Sequence, residues 1–122
     1  MKITVIQTNG GCVAKIESEE EFICDVQSAL DLMATVRYET GADRMILPKD
    51  ALSERFFVLS SRMAGEILQK FVNYQMKVAI VGDYSGYTSK PLRDFIYESN
   101  NGSHVFFVST MEEAEQKLIH AR

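Results

Sequence analysis

Hydrophobic positions change their spacing several times along the chain, and each change predicts an element. Residues 3–8 and 12–16 are β-prone runs joined by Asn9-Gly10-Gly11. Asn-Gly tolerates the positive φ angles of a tight turn, so the chain is expected to open with an antiparallel hairpin. Ser18 followed by Glu21 has the spacing of a capping box, predicting a helix start in which hydroxyl and carboxylate each satisfy an orphan N–H. Phe22, Val26, Ala29, Leu30, Met33 and Ala34 then recur at intervals of three and four and share one face, and Gly41 lies where that helix should end.

Three short apolar runs follow, at 44–47, 77–81 and 104–108, the first halted by Pro48. Continuous runs of this kind suit strands covered on both faces. Between them Met63, Ala64, Ile67, Leu68, Phe71 and Val72 form one helical face, and Leu92, Phe95 and Ile96 a shorter one. Thr110 with Glu113 gives a second capping box, opening a last helix that turns Met111, Ala114 and Leu118 inward. The order is ββαβαβαβα. Strands alternating with helices pair in parallel through right-handed crossovers, so the expectation is an α/β domain spanning 1–122, with a mixed five-stranded sheet and four helices. Repeats, low-complexity tracts and Pro- or Ser-rich linkers that would divide the chain are absent from the sequence.

Composition narrows the functional classes. At 46% hydrophobic and 25% charged, the 122 residues are those of a chain that packs a core. Thirteen basic residues against 17 acidic ones, with the signs interspersed, argue against a nucleic-acid partner, whose phosphates demand clustered Lys and Arg, and against an anionic membrane surface. The opening run turns polar at Gln7, too early for a signal peptide or a membrane span, and a cytoplasmic setting is expected. Cys12, in a strand, and Cys24, in a helix, read as buried thiols acting as small hydrophobes in a reducing compartment.

Two stretches carry candidate chemistry. Gly82-Asp83-Tyr84-Ser85-Gly86-Tyr87-Thr88-Ser89-Lys90 leaves the C-terminal end of an inner strand and enters a helix, where open α/β sheets hold ligands and where a helix N-terminus offers N–H groups to an anion. Gly82, Asp83, Tyr84, Ser85, Ser89 and Lys90 are the ligand-binding candidates for an anionic or nucleotide-like molecule. The spacing is not that of a P-loop, since Ser89 instead of glycine precedes Lys90, and the other reading is that the glycines make turns while Thr88 or Ser89 caps the helix. The second stretch is Ser60-Ser61-Arg62, just before a long amphipathic helix. A hydroxyl there either caps the helix or accepts a phosphoryl group, which would add nearly two negative charges beside the helix dipole.

The remaining polar residues assemble no nucleophile and base. His104 and His120 have no Cys, Asp or Glu at metal-ligand spacing, and Glu66, Asp83, Asp94 and Glu98 read as solvated or paired carboxylates, so neither a metal nor a cofactor nor catalysis is expected. Gly65 inside a helix suggests close approach of another backbone or helix. Asn73, Tyr74, Tyr84, Tyr87 and Tyr97 either line a polar pocket or rim the sheet.

The runs at 64–71, 78–83 and 89–100 resemble a small bacterial family known only as a domain of unknown function. At greater distance the chain is similar to the STAS domain of anti-sigma factor antagonists and sulfate transporters: Phe56-Phe57-Val58-Leu59-Ser60-Ser61-Arg62-Met63 occupies the stretch where that family carries Asp-Ser-Ser-Gly-Leu-Gly before a helix. Leu59 stands in place of the family's Asp and Arg62 in place of its Gly. Residues 90–93 and 109–114 are similar to the starts of its third and fourth helices. The resemblance implies a STAS-like layered fold and a regulatory module acting through a protein partner, with Ser60 or Ser61 at the phosphorylated position. A small-molecule binding protein or modest enzyme built on loop 82–90, and a homodimer, are the other expectations.

Overall fold

The computed structural model describes residues 1–8 and 11–121. Five strands lie side by side in chain order: β1 (Lys2–Thr8), β2 (Gly11–Glu17), β3 (Arg44–Pro48), β4 (Lys77–Val81) and β5 (Val105–Val108). β1 runs antiparallel to β2, and every later neighbour is parallel, so the mixed sheet and the ββαβαβαβα order are as the sequence predicts. The Asn9-Gly10 turn itself lies outside the described residues.

Four helices, α1 (Val26–Thr40), α2 (Met63–Asn73), α3 (Lys90–Asn100) and α4 (Met111–His120), cover the sheet unequally. Because β2 to β5 follow one another in a single direction, the right-handed crossovers set α1, α2 and α3 on the same face. There Met45, Leu47, Val78 and Ile80 pack against Leu32, Val36, Ile67, Phe71 and Leu92. α4 returns over the opposite face, where its Ala114 and Leu118 meet Ile46, Ala79, Phe106 and Val108. Strand residues therefore alternate between two cores, which is why the inner strands are apolar throughout. Leu118 is fully buried on the thinner side, and its replacement by Ala is of the kind that costs about 2–5 kcal/mol.

The first helix starts seven residues later than the Ser18–Glu21 spacing predicts. Phe22 and Ile23 are extended: both donate their N–H groups to Ala51 O at 2.9 Å, Ser53 N–H returns a bond to Ile23 O, and Ile23 forms a parallel bridge with Leu52. With those backbone groups satisfied by a distant segment, no helix is needed there. Ser18 closes a local turn on Glu20 instead, and Asp25 caps α1 through a 2.7 Å bond from Ser28 N–H, with the Ser28 hydroxyl answering the Asp25 N–H. Cys24 consequently sits outside the helix and is exposed, not buried, and Ala34 faces solvent while Leu32 and Val36 take the core. The far end is as expected: Gly41 adopts φ 73° and donates to Arg37 O at 3.0 Å. The close approach inferred at Gly65 is absent, since a Cβ there would meet open space. Among the described residues, no helix is long and apolar enough to cross a membrane.

Candidate functional site

Both candidate stretches leave the C-terminal ends of neighbouring parallel strands. The link from β3 to α2 is built of three 3-10 turns, Lys49–Ala51, Glu54–Phe57 and Leu59–Ser61, and the loop 82–90 follows β4. An aromatic cluster joins them. Phe57 stacks on Tyr87 with ring centroids 4.9 Å apart, lies 6.1 Å from Tyr84 and meets Phe56 edge-on at 5.0 Å. Tyr84 in turn meets Phe107 of β5 edge-on at 5.6 Å.

Lys49 closes the cluster from above. Its ammonium lies 5.1 Å from the Phe57 ring centre and 5.0 Å from that of Tyr87, and pairs with Glu54 at 3.3 Å. The Tyr87 hydroxyl donates to Glu54 Oε1 at 3.0 Å. Burial works to lower the Lys49 pKa, but the Tyr87 oxygen and the Glu54 carboxylate outweigh it and leave the ammonium more basic than usual. Burial likewise raises the Tyr87 phenol, against the pull of Lys49. At neutral pH the group is a charged lysine over two neutral rings, held in place by the Glu54 carboxylate. Gly82 is required here for space: a Cβ would stand 2.5 Å from Lys49 Cβ and 2.8 Å from its Cδ.

The loop 82–90 directs most of its polar groups to its own chain. Tyr84, half-buried, donates its hydroxyl to Ile80 O at 2.6 Å, and burial raises its phenol far enough that it stays protonated. Asp83 accepts the Ser85 N–H at 2.9 Å. The Ser85 side chain and then its backbone N–H hold the Asp83 carboxyl below its ordinary pKa. Ser89 caps α3 by accepting the Leu92 N–H at 3.5 Å, Pro91 has no N–H, and Lys90 is tied to Asp94 at 2.7 Å. Among the described residues, the first turn of α3 thus leaves only the Lys90 N–H unengaged, which is little with which to grip an anion.

The serine pair behaves differently. Neither serine is the N-cap residue of α2: Arg62 holds that place in the left-handed region at φ 65°, with no side-chain cap. Ser61 donates its hydroxyl to Arg55 O at 2.8 Å and accepts the Met63 N–H at 3.2 Å, so it staples the 3-10 turn and still serves the helix start. Ser60 and Arg62 are exposed, and Val58 beside them is 51% exposed. The structure brings the two stretches together through Lys49, Glu54 and Phe57, not through Ser60, Ser61 or Arg62 themselves. Those three linking residues were not singled out by the sequence reading; the signal available was Phe56-Phe57 set in a polar connection just beyond Pro48.

Elsewhere along the same edge, Lys15, Glu17, Pro48, Val81 and Met111 line an open cleft of about 300 Å³ with an apolar floor. Tyr74 and Tyr97 are exposed and do not join the cluster. Among the described residues, no group of three or more His, Cys, Asp or Glu side chains is placed to hold a metal ion.

Fold and site together define an α/β protein with a singly wound, mixed sheet and a strand-end surface shaped by aromatic packing. More narrowly, the profile of a domain of unknown function, DUF4180, matches residues 8–118, and the chain belongs to that family. No curated protein and no solved structure gives a significant match.

Proposed function

We propose that this protein is a regulatory module of STAS-like type that acts through protein–protein contact at the 3-10 turn before α2. The observation that carries the reading is the exposed trio Val58, Ser60 and Arg62, presented on a turn pinned from below by Ser61 and Phe57. An apolar side chain flanked by an arginine and a free-standing hydroxyl makes a small contact surface whose affinity changes when the hydroxyl gains charge. Ser60 is the better acceptor of the two, because the Ser61 hydroxyl is already engaged on both sides. The resemblance at 56–63 and the agreement in element order point the same way.

The test is affinity purification of the tagged chain from its own cells beside Val58→Asp and Ser60→Asp forms, with phosphopeptide mapping of the wild type. A protein retained by the wild type and lost from the Val58→Asp form, with phosphate on Ser60, supports the proposal. Equal retention by all three forms refutes it.

A second reading, a small ligand bound at the strand ends, is favoured by the 300 Å³ cleft between the ends of β2, β3 and β4 and the start of α4. A ligand present at a hundred times its dissociation constant would add about 2.7 kcal/mol of stability, which a thermal-shift screen detects.

A further inference from the structure

The two edges of the sheet are finished differently. The outer edge of β5 is four residues long and is plugged: Asn100 accepts the Phe107 N–H at 2.7 Å and donates to Phe107 O at 3.2 Å, its amide standing in for a sixth strand. The outer edge of β1 is seven residues long and, among the described residues, has no such cover. Its register with β2 runs through seven consecutive pairs, from Lys2 with Glu17 to Thr8 with Gly11, without a bulge. It contains no proline, and its single charge, Lys2, is at one end. Among the described residues, no loop or side chain bonds to the outward N–H and C=O groups of β1. Natural edges of this length are ordinarily blunted by one of those devices, because a row of open backbone groups is a template for another strand.

We infer that β1 pairs antiparallel with β1 of a second copy of this chain, joining the two sheets edge to edge about a twofold axis through Thr4. The strand is complementary to itself in that register. Ile3 and Val5 share the face of β1 that continues the α1–α3 side, since they oppose Ile16 and Ala14; Val5 is 41% exposed and Ile3 half-buried. A twofold at Thr4 sets Ile3 against Val5 twice, closing a four-residue apolar patch. On the other face Thr4 meets Thr4 and Lys2 meets Ile6, so no like charges oppose. A foreign strand would satisfy the backbone equally well, but the match of Ile3 to Val5 favours a second copy. The contact surface at Val58 and Ser60 is not on β1, so this inference stands or falls separately from the proposed function.

Light scattering on the full chain over a range of concentrations tests it. The expected mass is twice 13.8 kDa. Thr4→Lys sets two ammonium groups across the axis and is expected to give a monomer with unchanged circular dichroism. Mixing Thr4→Lys with Thr4→Glu is expected to restore the dimer, and Thr4→Cys to cross-link as a dimer under mild oxidation, since facing Cβ atoms in such pairs are about 4.5–5.5 Å apart. A wild type that stays monomeric at every concentration overturns the inference, as does a dimer that survives Thr4→Lys or one that the mixture fails to restore.

Discussion

Two connections leave neighbouring strands at the same end of the sheet and use their polar residues in opposite ways. The loop after β4 places Tyr84 and Tyr87 among Phe57 and Phe107, ties Asp83 to Ser85 and Lys90 to Asp94, and uses Ser89 to cap α3. The link after β3 hides Phe56 and Phe57 and leaves Val58, Ser60 and Arg62 outside. The loop with two glycines, two serines and a lysine thus turns most of its polar groups to its own chain, while the stretch that looks like plain helix capping leaves Val58, Ser60 and Arg62 exposed. Hydrogen-bond capacity used within the chain is not available to a ligand.

That contrast can be broken at several points, and the largest effect is expected at its hinge. Phe57→Ala removes the ring on which Tyr87 stacks and over which Lys49 lies, and should cost about 3–5 kcal/mol in chemical denaturation. Gly82→Ala forces a Cβ into the stem of Lys49 and should destabilise by about 1–3 kcal/mol, and Lys49→Gly in the same chain, which removes the Cβ it strikes, should recover part of that loss. Tyr84→Phe keeps the ring but removes the donor to Ile80 O, for about 1–2 kcal/mol. Ser60→Asp should change stability by less than about 0.5 kcal/mol, because the side chain faces solvent, while altering partner retention. A loss of stability well beyond that would mean that the open turn is structural too.

The smallest effect is a pH dependence. The Asp83 carboxyl titrates below its ordinary value of 3.8 in the folded chain, so its contribution is present above that value and disappears as pH falls through the lower folded value. Asp83→Asn should therefore lower stability slightly at neutral pH, where the carboxylate contributes, and flatten the acid limb of a stability–pH curve; an unaltered acid limb would show that the Ser85 bond does not matter to folding.

Much of the fold was legible because it depends on near neighbours. Apolar runs that end at Pro48, a glycine at 41 and a Thr110 cap act within one turn of helix or one strand, and the structure places each where the spacing predicts. The Ser18–Glu21 box failed for a non-local reason: Ile23 finds a partner in Leu52, 29 residues on, and a bridge of that kind leaves no mark at short range. The site was legible in part. Ser89 capping and the position of loop 82–90 at a strand end followed from local rules, whereas the inward turn of its tyrosines depends on Phe57, which lies 27 residues before Tyr84.

By itself the sequence determined the order of elements, the direction of strand pairing and the faces that must be buried, since periodicity and crossover handedness are properties of the chain alone. Tertiary structure alone decided that three helices share one side, that Lys49 needs Gly82 bare, that Asn100 closes one edge while the other stays open, and that Ser60 and not Ser61 faces outward. None of those outcomes follows from helix or strand periodicity: Lys49 meets Gly82 across the sheet, and even Asn100 reaches Phe107, and Ser61 reaches Arg55, only through bends that no repeat of apolar positions encodes.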